Sequence, residues 1–249
     1  MACSVRLTPE GEVAGPTPQQ SPHSASPLTD LLRGAETVLI GFEGPLTRMF
    51  SEELARAAAF DLLHVANTAA GPLPPSASAE RWGAAHPLDV LRAFAGHPVA
   101  PRLSEQLDQL ELQAVGSAWP TPHAASLIQA LHASGRRVVV VTDCSPPAVH
   151  RFLEACSLSV DGVHGRKDRV ELLMPNPDCL LRAMRSPGTP ARVGLVISSS
   201  AAELDAADSI GLRRIGYART PSADRALRTT GCDLVLGSLE PLLEAARSL

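Results

Sequence analysis

The chain has 249 residues, 45% hydrophobic and 19% charged, with a formal net charge of −4. That length holds one large domain, or one domain carrying an insert, and buries a substantial core. The mildly negative balance excludes a nucleic-acid binder built on a basic surface.

In chain order, residues 1–30 are rich in Pro, Ser, Gly and Gln and have no apolar period, so they read as a disordered tail. Residues 37–42 (TVLIGF) form a short apolar run closed by Gly44-Pro45, which reads as a buried strand and a turn. Residues 51–71 have helical periodicity, with Ser51 as N-cap, Glu52 and Glu53 in the first turn and Gly71 as the stop. A loop follows, and two further helices fill the stretch to residue 118. Trp82 and Trp119 flank this helical region and are expected to pack it onto the remainder.

From residue 119 the pattern alternates. A helix over 122–134 ends at Gly135, and the continuously apolar run 136–143 reads as a parallel strand covered on both faces. Ser145-Pro146 starts a helix as N-cap and first-turn proline. A short strand near 160–164 precedes a helix at 177–185. Strand 192–198 leads into helix 201–210, strand 213–218 into a helix from Thr220-Pro221, and strand 233–237 into helix 238–248. This order implies an α/β fold: a Rossmann-like parallel sheet with helices on both faces and an all-helical insert. The expected division is a tail over 1–30, a core from 31–50 and 119–249, and a helical cap over 51–118. Ligands on such sheets sit at the carboxyl ends of the strands, here near residues 41–47, 142–146, 166–176 and 198–203.

Of the 22 basic residues only Lys167 is a lysine, and with abundant Ala and Pro this reads as coding composition rather than an Arg-rich binding surface. The five cysteines are odd in number and form no C-x-x-C pair, which suggests reduced thiols in a cytoplasmic protein. No apolar run approaches the ~20 residues of a membrane helix, and the N-terminus lacks the apolar centre of a signal peptide. Neither a membrane nor a nucleic acid is therefore expected as partner. The eight histidines show no metal-ligand spacing.

Four segments carry a family resemblance. VLIGFEGPLT resembles the first motif of the haloacid dehalogenase (HAD) superfamily, D-x-D-G-x-L-[TS] after an apolar run. VVVVTDCSP resembles the second, an apolar strand ending in Ser or Thr. LLMPNPDCLLRAM resembles the third motif region, L-x-K-P-x-P. LVISSSAAELDAADSIGLRRIGYA resembles the fourth, G-D-S-x-x-D. Their order and spacing fit across residues 36–248, and the helical insert stands where phosphoglycolate-phosphatase-like members place a helical cap.

The resemblance implies a role for each position, and most positions depart from the pattern. The family's nucleophile, which also binds Mg²⁺, corresponds to Gly41, and its general acid/base to Glu43. Thr142 retains the phosphate-binding hydroxyl. The steadying Lys is replaced by Met174 and the Mg²⁺-holding Asp by Ser199, and a later acidic position is Glu203. An aspartyl-phosphate route needs a carboxylate placed for in-line attack, which glycine does not supply. Mg²⁺ wants hard oxygen ligands, and two carboxylates are gone, so no cofactor is expected although the family uses Mg²⁺. The candidate ligand-binding residues are Glu43, Thr142, Asp143, Ser198 and Ser199. Lys167 and Cys144 are candidate substitutes for the missing cation and nucleophile.

Each of these residues also has a structural reading. Glu203 lies three residues after Ser200, a capping-box spacing. Ser198, Ser199 and Ser200 suit a helix cap, Thr142 a strand end, Glu43 a solvated loop, Lys167 a surface charge and Cys144 an ordinary buried thiol. The favoured function is a non-catalytic pseudophosphatase that binds a protein partner or a small molecule. The alternative is an active HAD-type hydrolase on a small phosphorylated metabolite using substituted residues. A third reading is a ligand sensor whose tail contacts another protein.

Overall fold

The structure is a computed structural model and describes residues 26–70, 86–185 and 194–249. Six strands form one sheet: β1 (Thr37–Gly41), β2 (Arg137–Val141), β3 (Gly162–His164), β4 (Gly194–Ser198), β5 (Arg213–Tyr217) and β6 (Leu234–Leu236). Their order is β3-β2-β1-β4-β5-β6, and every pairing is parallel. All five residues of β1 and of β4 are buried, which explains why these strands read as unbroken apolar runs rather than alternating ones.

Ten helices surround the sheet among the described residues. They are α1 (Pro27–Arg33), α2 (Glu52–Ala70), α3 (Pro87–Ala93), α4 (Ala100–Ala114), α5 (Ala124–Ala133), α6 (Pro146–Ala155), α7 (Asp178–Met184), α8 (Ala201–Ser209), α9 (Pro221–Arg228) and α10 (Glu240–Arg247). The two faces of the sheet feed separate cores with the period of two that strands impose. Val38, Ile40, Val138 and Val140 pack with residues of α1, α5, α6 and α10. Leu39, Val139, Val141 and Val196 pack with residues of α7, α8 and α9. A third cluster joins α2, α3 and α4, all inserted between β1 and β2, with Val170 and Leu173.

Local signals set the helix starts. Ser51 Oγ accepts the Leu54 amide at 3.1 Å, as its N-cap reading requires. Thr220 Oγ1 accepts the Ala223 amide at 3.2 Å at the start of α9. One boundary differs from the compositional reading. Residues 26–30, assigned to the tail, form the start of α1: Ser26 Oγ accepts the Thr29 amide at 3.3 Å, Pro27 opens the helix, and Thr29, Leu31 and Leu32 are buried. A Ser-Pro pair counted as low complexity is here a helix start. The rest of the expected tail lies outside the described residues, as does Trp82. Trp119 is 83% exposed and does not pack the insert onto the sheet. No described helix is long and apolar enough to cross a membrane.

Candidate functional site

The central strand β1 pairs with β2 on one side and β4 on the other. The chain leaves these three strands at Gly41, Val141 and Ser198, so their following loops converge at the crevice where such sheets bind ligands. A cavity of about 230 Å³ opens there. Glu43 lines it from the loop after β1, Thr142, Asp143 and Cys144 from the loop after β2, and Ser199, Ser200 and Glu203 from the start of α8. The helical insert closes the far wall with His86, Leu88, Asp89 and Arg92.

At the bottom of the crevice, Glu203 takes the space beside Gly41. A Cβ built on Gly41 would stand 2.7 Å from Glu203 Oε2, closer than real Cβ contacts come, and 3.3 Å from the Ile197 carbonyl. The capping-box expectation is half met. Ser200 Oγ accepts the Glu203 amide at 3.4 Å. The Glu203 carboxyl, however, does not reach back to the cap. It accepts the Ser198 hydroxyl at 2.5 Å, and Ser198 Oγ in turn accepts the Ser200 amide at 2.9 Å. Burial pushes the Glu203 carboxyl up to about 8, against the pull of its Ser198 hydrogen bond and with the charges of Asp143 and Glu43 adding to the rise. Near pH 7 it is therefore mostly neutral.

The two other acids that the strand-end loops bring to the crevice, Glu43 and Asp143, are held by the insert, which adds Asp89 of its own. Glu43 Oε2 lies 3.2 Å from His86 Nε2, and Glu43 Oε1 accepts the Phe50 amide at 3.3 Å. His86 is also the cap of α3, its Nδ1 accepting the Leu88 amide at 3.3 Å. Burial works against a charged His86, but the hydrogen bond and charge of Glu43 outweigh it and raise its pKa above the ordinary value. Asp143 accepts Arg92 Nη2 at 2.8 Å and the Met174 amide at 3.1 Å on each oxygen. Arg92 also donates from Nε to the Met174 carbonyl at 3.1 Å and from Nη1 to Asp89 at 2.9 Å. Burial raises the Asp143 pKa despite these donors.

The donor set suits Mg²⁺ poorly. Gly41 offers no side chain, and the Ser199 hydroxyl is spent donating to the Glu43 carbonyl at 2.7 Å. Glu43 and Asp143 are both engaged by basic side chains of the insert, His86 and Arg92. Among the described residues no group of three or more His, Cys, Asp or Glu is arranged to hold a metal ion.

The remaining expected residues divide between the crevice wall and its surroundings. Thr142 is buried and its Oγ1 accepts the Cys144 amide at 3.1 Å. Cys144 touches the cavity, and burial, with the charges of Glu111 and Glu43, raises its thiol well above its ordinary pKa, which disfavours the thiolate. Ser198, expected among the ligand residues, is fully buried, bonded to Glu203 and outside the cavity lining. Met174 is fully buried in the core beneath the sheet, so only its backbone serves the site. Lys167 is exposed and does not line the cavity, and the expected 166–176 wall is absent from it. The insert supplies the opposite wall instead. His86, Asp89 and Arg92 were missed because no motif marks them; the His86-Pro87 helix start was the one local signal.

A buried ionic cluster ties the insert to the loops behind the crevice. Arg166 Nη1 donates to Glu111 at 2.9 Å and to the Asp143 carbonyl at 2.6 Å, and Nη2 donates to Glu111 at 2.9 Å and to Asp108. Glu111 Oε2 also accepts the Ser145 amide at 2.8 Å. Asp108 and Glu111 lie on α4 of the insert, whereas Arg166 and Ser145 follow β3 and β2.

This architecture is that of the haloacid dehalogenase-like phosphatases and hydrolases. A predicted phosphatase from Clostridium acetobutylicum superposes with a TM-score of 0.64 at 17% identity, covering 86% of this chain and 99% of that one. CbbY from Rhodobacter sphaeroides, solved in complex with phosphate, gives 0.61 at 22%, covering 86% and 100%. A haloacid dehalogenase-like hydrolase from Bacteroides fragilis gives 0.63 at 16%, covering 84% and 99%. At these identities the likeness is one of fold. No family model and no curated protein matches the sequence.

Proposed function

We propose that this chain is a non-catalytic member of the HAD superfamily, a pseudophosphatase that binds a small polar molecule in the crevice beneath a helical cap. The observation that carries the reading is the Glu203 carboxyl lying 2.7 Å from where a side chain at residue 41 would begin. In the family the resemblance points to, that position carries the attacking carboxylate, which also binds Mg²⁺. Here the space is taken by a mostly neutral acid that points at Ser198. Glu43 and Asp143 are paired with His86 and Arg92, so they hold the cap down rather than hold a metal. Phosphoryl transfer draws most of its acceleration from positioned charge, and this crevice has little to offer it. What remains is a concave chamber with a few convergent polar groups, of the kind that binds ligands. The four described cysteines are free thiols, which favours the cytoplasm as its setting.

The experiment is a calorimetric titration of the full chain with Mg²⁺. The expected outcome is no saturable site at millimolar metal. A site that saturates there and is lost in Glu43→Gln would overturn the reading.

A further inference from the structure

We propose that the outer mouth of the crevice is a binding subsite for the anionic group, a phosphate or a carboxylate, of a small-molecule ligand. The proposal rests on the crevice being a ligand site and adds where the charged end of the ligand goes.

A second cavity of about 430 Å³ adjoins the inner one and shares Glu43, His86 and Ser199 with it. Arg48 lines it from the loop after β1 and Arg219 from the loop after β5. Both arginines are exposed, and neither has a hydrogen-bond or ion-pair partner among the described residues. The Tyr217 side chain lines the same space, and its hydroxyl likewise has no partner among the described residues. Phe50 and Ala223 add apolar surface to the lining. Phe50 is fixed edge-on against His86 with ring centroids 5.8 Å apart.

The inner chamber presents the opposite balance. An anion there would meet Asp89 and Asp143 as well as the Glu43 that both cavities share, while Arg92 and His86 are already paired with those acids. Moving an anion inward would require breaking these pairs, whereas the outer mouth offers two guanidinium groups with nothing to give up. A ligand with an anionic head and an apolar or planar body would therefore lie with its head on Arg48 and Arg219 and its body against Phe50 and Tyr217. This reverses the arrangement that the motif resemblance implies, in which phosphate sits at the floor of the crevice.

The test is a calorimetric titration of the full-length protein with phenyl phosphate, and with phenol as the uncharged control, at low and high salt. Phenyl phosphate is expected to bind at low salt and to weaken as salt rises, because exposed charges are screened. In Arg48→Gln/Arg219→Gln its affinity is expected to fall by about 10-fold or more, with phenol binding unchanged. Arg48→Lys/Arg219→Lys, which keeps the charge, is expected to recover part of the loss. Both positions are exposed, so an unchanged melting temperature verifies the variants. Equal affinity in wild type and the Gln variant, or no saturable binding to wild type at low salt, would overturn the subsite. Mg²⁺-dependent hydrolysis of phenyl phosphate would instead contradict the non-catalytic reading, and the effect of the arginines on KM would still decide the subsite.

Discussion

Glu203 is the residue on which the chemistry turns, and its protonation gives a measurable signature. Its ordinary pKa is 4.5 and burial lifts it to about 8 in the fold. Between those values the folded chain holds a proton that the unfolded chain has released, so stability falls as pH rises through that window. Below 4.5 the two states bind equally and nothing is lost; above 8 the full cost of a buried carboxylate is present. Asp143 and Glu111 are raised in the same direction, and His86 loses its contribution as pH rises through its own raised pKa. The difference between wild type and Glu203→Gln isolates the one group. Denaturant titrations from pH 5 to pH 9 are expected to show the variant gaining on wild type by on the order of a few kcal/mol. A constant difference across that range would place Glu203 in a more polar setting than its contacts imply.

At the scale of elements, the insert is fastened to the sheet by charge rather than by an aromatic staple. Trp119 stands in solvent, while Arg166, Glu111 and Asp108 bridge α4 to the loops after β2 and β3. Removing one member of such a buried cluster leaves an uncompensated charge. Arg166→Met is expected to cost about 3–5 kcal/mol in urea unfolding. Arg166→Met/Glu111→Leu is expected to cost much less than the two single changes added, because the orphaned charges leave together. Additive losses would mean that the cluster is no coupled unit.

These contacts also mark what the sequence could and could not announce. The apolar runs of β1, β2 and β4 identify the sheet because doubly covered strands carry polar residues only at their ends. The loop after each strand end then falls on the crevice, which is why Glu43, Thr142, Asp143 and Ser199 were found. Glu203 was placed correctly at a helix start, yet its capping spacing hid the rotamer that swings the carboxyl to Gly41. Met174 looked like a site residue because a motif aligns there; it is buried because an apolar side chain at that bend joins the core beneath β1 and β2. His86, Asp89 and Arg92 were invisible because they come from a region with no motif, and only the tertiary docking of α3 brings them within reach of residues 43 and 143.

For the whole molecule, the fold of a phosphatase and the contents of its crevice point in different directions. The parallel sheet and its helical insert form a fold that superposes on a predicted phosphatase and a haloacid dehalogenase-like hydrolase of known structure. The crevice floor is filled by Glu203, whose carboxyl burial raises to about 8, and Glu43 and Asp143 pair with side chains of the insert. On the reading proposed above, such a scaffold keeps its binding crevice after turnover is lost, since shape and hydrogen bonding survive the loss of the reacting charge.

The most direct test is phosphate release from a panel of phosphate monoesters, with and without Mg²⁺. Wild type is assayed beside a variant carrying Gly41→Asp, Met174→Lys and Ser199→Asp together with Glu203→Ala. The last change is needed because Glu203 Oε2 stands 2.7 Å from the Cβ that an aspartate at 41 would bring. Wild type is expected to release no phosphate under either condition, and the variant to release it in a Mg²⁺-dependent way. Mg²⁺-dependent turnover by wild type that persists through purification and disappears in Glu43→Gln would contradict it.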